Sequence, residues 1–96
     1  MLAVVNTMTL SRPIPTEVLV RLRTDLVPLA RGVEGFEDVI VVHVADEQLV
    51  FVVLCRTEAA MAKLHEEVAG PWIGQNIRPY VARVDRRVGT VVAGRE

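Results

Sequence analysis

The sequence predicts an α+β fold in which two helices cover one face of a four-stranded antiparallel sheet. Its hydropathy pattern gives six elements in the order strand, helix, strand, strand, helix, strand along the 96 residues. The two middle strands are separated only by a short polar turn, which is typical of a hairpin. Both are apolar at almost every position, whereas a sheet with one wet face alternates apolar and polar residues. We therefore expect one domain over residues 1–96, with a sheet that needs cover on both faces.

The first strand is predicted over Leu2–Leu10, with side chains that alternate between two faces. One face carries a polar residue, Asn6, in a row that is otherwise apolar. That row consists of Leu2, Val4, Asn6, Met8 and Leu10. Asn6 therefore either bonds a neighbouring backbone group or serves a ligand, which makes it a candidate functional residue.

The first helix is predicted from residue 15 or 16 to about residue 31. Glu17 suits the positive end of the helix dipole, and leucines at three- and four-residue steps give one apolar stripe. Pro28 lies inside this pattern and has no amide hydrogen to donate, so we expect a kink there. Gly32 is expected to end the helix.

The central hairpin is predicted as a strand over residues 39–45, a turn at Asp46 and Glu47, and a strand over Gln48–Cys55. Thr57 then has the side chain and position of a helix N-cap. The buried stripe of this second helix is expected to comprise Ala60, Met61, Leu64 and Val68.

Gly70 and Pro71 are expected to end the second helix, because glycine and proline commonly follow helix ends. Pro71 can also start a new, short helix from Trp72 to about Tyr80. Helical spacing places five of its residues on one face: Trp72, Ile73, Asn76, Ile77 and Tyr80. The last strand is predicted over residues 84–93.

This element order is that of the split βαβ, or ferredoxin-like, βαββαβ arrangement. Right-handed crossovers place both helices on one face of the antiparallel sheet and leave the other face bare. An exposed apolar face of several hundred Å² would cost many kcal/mol in water, at roughly 25 cal/mol per Å². We therefore expect a homodimer in which the sheets of two copies pair face to face as a dimeric α+β barrel.

Composition excludes several classes of function. The net charge is −1 with both signs interspersed, so the chain lacks the basic stripe that nucleic acids require. No apolar run reaches the roughly 20 residues of a membrane span, and the N-terminal stretch lacks the pattern of a signal peptide, which predicts a cytoplasmic protein. The single cysteine, Cys55, excludes an internal disulfide. His43, His65 and Cys55 do not show the close spacing of a metal site.

Several segments resemble a known family. Residues 4–10, VVNTMTL, resemble its opening strand with an inward Asn, and residues 56–60, RTEAA, resemble the start of its second helix. Gly35 and Phe36 resemble its Pro-Gly-Phe entry to the second strand, with Glu34 where proline is usual. Residues 69–72, AGPW, and 84–89, VDRRVG, resemble a subgroup of uncharacterised members. In this order, and over nearly the whole chain, the sequence resembles the antibiotic-biosynthesis-monooxygenase-like proteins of the dimeric α+β barrel superfamily.

The resemblance implies two kinds of activity. Some members oxidise aromatic polyketides with O₂ and without a metal or prosthetic group, and others degrade haem with an Asn, a Trp and a His. The Asn carries over to Asn6. Cys55 stands where the Trp would be and Asn76 lies near the place of the haem-ligating His, so haem degradation is disfavoured and no cofactor is expected.

The resemblance also implies a ligand space between the helices and the sheet, kept open in part by a kink at Pro28. Asn6 would orient an oxygen of the ligand, and His65, or a water in the pocket, would accept its proton. Trp72 and Tyr80 would stack on an aromatic ligand, and Asn76 would add a polar contact. Alternatively, Asn6 bonds the backbone, Trp72 packs in the core and His65 is a half-exposed helix residue.

Two hypotheses of function follow. In the first, the protein binds a flat apolar or aromatic molecule and, if it is an enzyme, acts as a cofactor-independent monooxygenase. In the second, it is a non-catalytic dimeric ligand-binding or interaction module whose own side chains fill the core. Open space around Asn6 would favour the first hypothesis, and a packed core would favour the second.

Overall fold

The six main elements follow the predicted order in a computed structural model that describes residues 1–94. They are β1 (Leu2–Leu10), α1 (residues 16–31), β2 (Phe36–Val44), β3 (Gln48–Cys55), α2 (residues 58–76) and β4 (Val81–Thr90). All neighbouring strands pair antiparallel, in the order β2-β3-β1-β4. This confirms the ferredoxin-like α+β fold.

Helix α1 contains one widened turn ahead of its proline. Between the α-helical segments Thr16–Arg21 and Val27–Arg31, residues Leu22–Leu26 form a π-helical segment. There the Val27 amide donates to the Leu22 carbonyl, five residues back instead of four. Pro28 follows directly, so the disturbance expected from a proline inside the helix is accompanied by a π-turn.

Helix α2 does not end at Gly70 and Pro71, and the prediction that they stop it was wrong. The helix runs on to Asn76 through a second π-helical segment, His65–Ala69. The Gly70 amide donates to the His65 carbonyl, and a Cβ added at Gly70 would lie 2.7 Å from that oxygen. Glycine therefore lets the wide turn close, and Pro71 follows at the first turn of the next α-helical segment, where proline is tolerated.

A single capping bond starts α2. The Thr57 Oγ1 accepts a hydrogen bond from the Ala60 amide at 3.1 Å, which confirms the predicted N-cap. Ala60 also lies against the loop before β2, where Gly35 has a φ of +90° and a Cβ on Gly35 would come within 2.5 Å of the Ala60 Cβ. Glycine is required at this position by both backbone conformation and space.

Strands β2 and β4 begin earlier than the sequence predicted. β2 starts at Phe36, which pairs with Cys55, although we predicted residues 39–45. β4 pairs with β1 from Val81 opposite Leu10 to Thr90 opposite Leu2, although we predicted residues 84–93. The pairing with β1 therefore spans the whole of β4, and just beyond the strand the Val91 amide donates to the Met1 carbonyl at 3.0 Å.

The core lies between the helices and one face of the sheet. It includes Met8, Leu22, Leu26, Leu49, Phe51 and Ile77, and a second cluster around Val4, Met61 and Leu64. The opposite sheet face carries large apolar side chains that remain 41–57% exposed: Val5, Ile40, Val42 and Val44. A single chain therefore leaves that face without cover.

Candidate functional site

A cavity of about 590 Å³ lies between the helices and the sheet, in the place that the family resemblance implied. The β1 row that contains Asn6 forms part of its sheet side, and α2 forms much of its helix side. Most of the wall is apolar, with Val4, Met8, Phe51, Met61, Leu64 and Ile73 among its residues. Its volume falls in the range of about 300–1,000 Å³ that is usual for small-molecule sites.

Small residues of α2 leave this space open. Ala69, Gly70 and Gly74 all line the cavity, and a Cβ added at Gly74 would meet no atom within 4 Å. The two α1 residues that line it, Leu26 and Ala30, lie on either side of Pro28. The cavity thus adjoins both places where the helices depart from regular α-helical hydrogen bonding.

Asn6 lies in the middle of the sheet side. In the antiparallel ladders it is directly opposite Phe51 on β3 and Arg86 on β4, and all three residues line the cavity. The Asn6 Oδ1 is buried, and no group in residues 1–94 donates a hydrogen bond to it. A buried acceptor without a partner costs about 1–3 kcal/mol, which is unusual at a position that serves the fold alone.

His65 lies across the cavity on α2, at the first residue of the π-helical segment. Its side chain is exposed, so the imidazole can meet both a ligand in the cavity and bulk water. The structure therefore brings Asn6 and His65, which are far apart in sequence, to one cavity.

Trp72, Asn76 and Tyr80 do not line this cavity in the part of the chain that the structure describes. Trp72 and Tyr80 are partly buried against the main core cluster, and the Arg12 guanidinium carbon lies 4.8 Å from the centre of the Tyr80 ring. The Asn76 side-chain amide donates to the Trp72 carbonyl at 2.9 Å. Their role in ligand binding stays a prediction, to which the cavity geometry adds no support.

Three arginines at the cavity were missed by the sequence reasoning. Arg78 precedes β4, and Arg83 and Arg86 lie on that strand. The signal that could have found Arg86 is register, because residues directly opposite in an antiparallel pair share a face and Arg86 is opposite Asn6. The predicted strand over residues 84–93 contains Arg86, but its alignment with β1 was not part of the prediction.

Cys55 is a fully buried core residue at the end of β3. Burial, and to a lesser extent the nearby Glu37 carboxylate, raises the pKa of the Cys55 thiol. Such a thiol stays protonated and unreactive near neutral pH. Within residues 1–94, no group of three or more His, Cys, Asp or Glu side chains could hold a metal ion. Neither α1 nor α2 has the length and apolar character that crossing a membrane would require.

No family model matches the chain, and no curated protein matches it. Solved structures do match. NE2512, a protein of unknown function from Nitrosomonas europaea, is 12% identical with a TM-score of 0.77 over 99% of this chain and 92% of its own. SnoaB, a cofactor-independent oxygenase from Streptomyces nogalater, is 13% identical with a TM-score of 0.77 over 97% of this chain and 94% of its own.

A candidate antibiotic biosynthesis monooxygenase from Bacillus cereus is 20% identical, with a TM-score of 0.61 over 99% of this chain and 94% of its own. At identities this low, the structural similarity establishes a shared fold, and any activity has to be argued from the residues of the site. The family resemblance read from the sequence is thus confirmed at the level of the fold. The chain has the fold of the antibiotic biosynthesis monooxygenase-like proteins.

Proposed function

We propose that the protein binds a flat aromatic molecule in the cavity beside Asn6. The observation that carries this proposal is the open space itself, about 590 Å³ with mostly apolar walls. A module with a self-filled core would have side chains there, whereas Gly70 and Gly74 line the space instead. Asn6 lines this space and supplies a side-chain amide that can hydrogen-bond a ligand hydroxyl, as small-molecule sites combine apolar walls with a few polar groups.

We further propose that the bound molecule is a dihydroxyaromatic that reacts with O₂ without a cofactor. The fold that the chain shares with SnoaB, a cofactor-independent oxygenase, supports this choice of reaction. His65 takes the proton of one hydroxyl, and the resulting phenolate supplies the electrons that reduce O₂. Asn6 holds the substrate oxygen, accepting the remaining hydroxyl hydrogen or donating its amide hydrogen to the anion.

The reaction balances without an added reductant. The ring carbon beside the phenolate forms a bond to O₂, and the protonated His65 returns its proton to the peroxide. The O–O bond then breaks as the C–H proton leaves, so one oxygen stays as a carbonyl and the other leaves as water. A hydroquinone and O₂ thereby give a hydroxyquinone and water, with four electrons passing from the ring to oxygen.

Oxygen uptake with a panel of dihydroxyaromatics tests the proposal. We expect uptake by the native protein, a loss of at least about 100-fold in Asn6→Ala, and a loss of about 100-fold in His65→Gln. His43→Gln is the matched control, because His43 lines a separate, smaller cavity of about 320 Å³. If no compound of the panel binds or is consumed, both parts of the proposal are rejected; binding without uptake retains only the binding function.

We also propose that two copies pair through the bare sheet face, as the sequence led us to expect. The exposed side chains of Val5, Ile40, Val42 and Val44 support this, because a contiguous group of large exposed apolar side chains marks an interaction surface. Pairing through that face leaves the cavity on the other side of the sheet, between each sheet and its own helices.

A further inference from the structure

We infer that the ligand carries a fixed negative charge, such as a carboxylate, and that Arg78 and Arg86 bind this group in the cavity. The inference rests on the ligand binding proposed above and specifies its substrate class: an apolar aromatic body with one anionic substituent.

The charge of the cavity wall differs from the charge of the chain. The whole chain carries 11 basic and 12 acidic residues, for a net charge of −1. Arg78, Arg83 and Arg86 all line the cavity, whereas no aspartate or glutamate of residues 1–94 does. The positive wall is therefore a local feature, and it favours an anion over a neutral or cationic ligand.

Arg86 and Arg78 are positioned to contact a ligand that also packs against the apolar wall. Arg86 is directly opposite Asn6 in the β1–β4 ladder, so it belongs to the face that the cavity occupies. Arg78 lies in the 3₁₀ turn between α2 and β4. Arg83 is an odd number of positions from Arg86, so strand alternation assigns it to the opposite face, and we give it no role.

Neither arginine is neutralised by an acidic side chain in the described part of the protein. The ion pairs found there join Arg56 to Glu37 at 2.9 Å and Arg87 to Asp85 at 3.3 Å. Asp85, the acidic residue adjacent to Arg86, therefore already has a partner, and alternation places it on the opposite face of the strand. Arg78 and Arg86 can offer their guanidinium donors to a ligand, in the fork geometry that suits a carboxylate.

Along β1, the cavity has Arg78 toward one end, Arg86 at the middle opposite Asn6, and Phe36 toward the other end. Arg78 precedes Val81, which pairs with Leu10 at one end of β1. Phe36 pairs with Cys55, which pairs with Leu2 at the other end. A ligand with an aromatic body and one anionic group matches this arrangement, with its rings toward Phe36 and its charge toward the arginines.

A matched pair of fluorescent probes tests the inference. 8-Anilinonaphthalene-1-sulfonate and N-phenyl-1-naphthylamine share one aromatic body and differ by a sulfonate. Both are titrated into the native protein and into the Arg78→Gln/Arg86→Gln double variant. Arg87→Gln is the control for loss of a β4 arginine, because Arg87 does not line the cavity. Gly74→Leu, which adds a large side chain at a residue that lines the cavity, tests whether each probe binds there.

We expect the double variant to lose roughly tenfold in affinity for the sulfonate probe, since each exposed ion pair contributes about two- to fivefold. We expect its affinity for the neutral probe to stay within about twofold of the native value. In the native protein, added salt should lower the affinity for the sulfonate probe and leave the affinity for the neutral probe unchanged. A thermal unfolding midpoint equal to that of the native protein would show that the double variant is folded.

The inference is overturned if Gly74→Leu blocks both probes but the double variant binds the sulfonate probe as the native protein does. In that case the proposed cavity function stands and only the anionic substrate class is lost. If Gly74→Leu blocks neither probe, the cavity is not the binding site, and the proposed function and this inference are both rejected.

Discussion

Asn6 on β1 and Arg86 on β4 lie directly opposite each other in the sheet, and both line the cavity beneath the helices. Asn6 contributes a buried acceptor that no described group satisfies, and Arg86 contributes a cation without an acidic partner there. One strand pair thus supplies a neutral and a charged polar group to an otherwise mostly apolar space. This arrangement is suited to holding an oxygenated, negatively charged aromatic molecule.

Replacement of Asn6 by Leu should stabilise the free protein and abolish function. The substitution removes a buried oxygen that has no hydrogen-bond partner, so we expect the free energy of unfolding to rise by about 1 kcal/mol. Urea denaturation measures this change, and oxygen uptake measures the loss of activity. A variant that is less stable than the native protein would show that Asn6 serves the fold.

Gly70→Ala should destabilise α2, whereas Gly74→Ala should not. A Cβ at Gly70 would lie 2.7 Å from the His65 carbonyl oxygen, which belongs to the backbone and cannot move aside cheaply. We expect a loss of about 1–3 kcal/mol for Gly70→Ala. At Gly74 the same change meets open space and adds helix propensity, so stability should stay level or rise by up to about 1 kcal/mol.

Chemical denaturation of the two alanine variants measures this difference directly. Equal stabilities would mean that the π-helical segment His65–Ala69 relaxes to a regular helix in solution. The wide turn would then not account for the continuation of α2 past Gly70.

Stability should fall at alkaline pH because of Cys55. Its pKa is raised in the fold, so the folded protein keeps the thiol proton at pH values where the unfolded chain has lost it. The folded state then binds more protons, and the free energy of unfolding falls as pH rises from about 9.0, the ordinary thiol value, through the folded pKa. Below that range the contribution is fully present.

Cys55→Ala should remove this fall and add a constant packing loss at all pH values. The measurement is the difference in unfolding free energy between the native protein and the variant, taken at a series of alkaline pH values. Two parallel curves would show that the thiol titrates alike in the folded and unfolded states.

A charged residue on the bare sheet face should separate the proposed dimer. Val42 is 46% exposed in the single chain and lies on that face, so Val42→Lys would place an ammonium group in the interface. Light scattering should give about twice 10.6 kDa for the native protein and one chain mass for the variant. Val92→Lys is the control, because Val92 is 93% exposed and lies beyond the end of β4. A native mass of one chain would reject the dimer.

Much of the fold could be predicted from local patterns. The bounds of β1 and β3, the Thr57 cap and the span of α1 follow from alternation, polar breaks and helical spacing, which act over a few residues. The predicted end of α2 at Gly70 and Pro71 was wrong because the same residues that commonly end a helix also permit a π-turn. Which of the two occurs depends on where the rest of α2 packs.

The site was less predictable than the fold. Asn6 stood out because a polar residue in an apolar row is visible in sequence, and His65 was singled out because a histidine flanks the buried stripe. Arg78 and Arg86 reach the cavity through the register of β4, which depends on pairing with distant residues. Gly70 and Gly74 both line the cavity, and the sequence predicted Gly70 to end the helix, so a continuous α2 wall was not predicted.

The most direct measurement is a nuclear magnetic resonance titration of the ¹⁵N-labelled protein with N-phenyl-1-naphthylamine. If the cavity binds an aromatic body, the side-chain amide of Asn6 and the backbone amides of His65 and Gly74 shift together with one affinity, and Val42 on the opposite sheet face does not. Shifts that are absent from Asn6, or confined to the face that carries Val42, would contradict the proposed binding site.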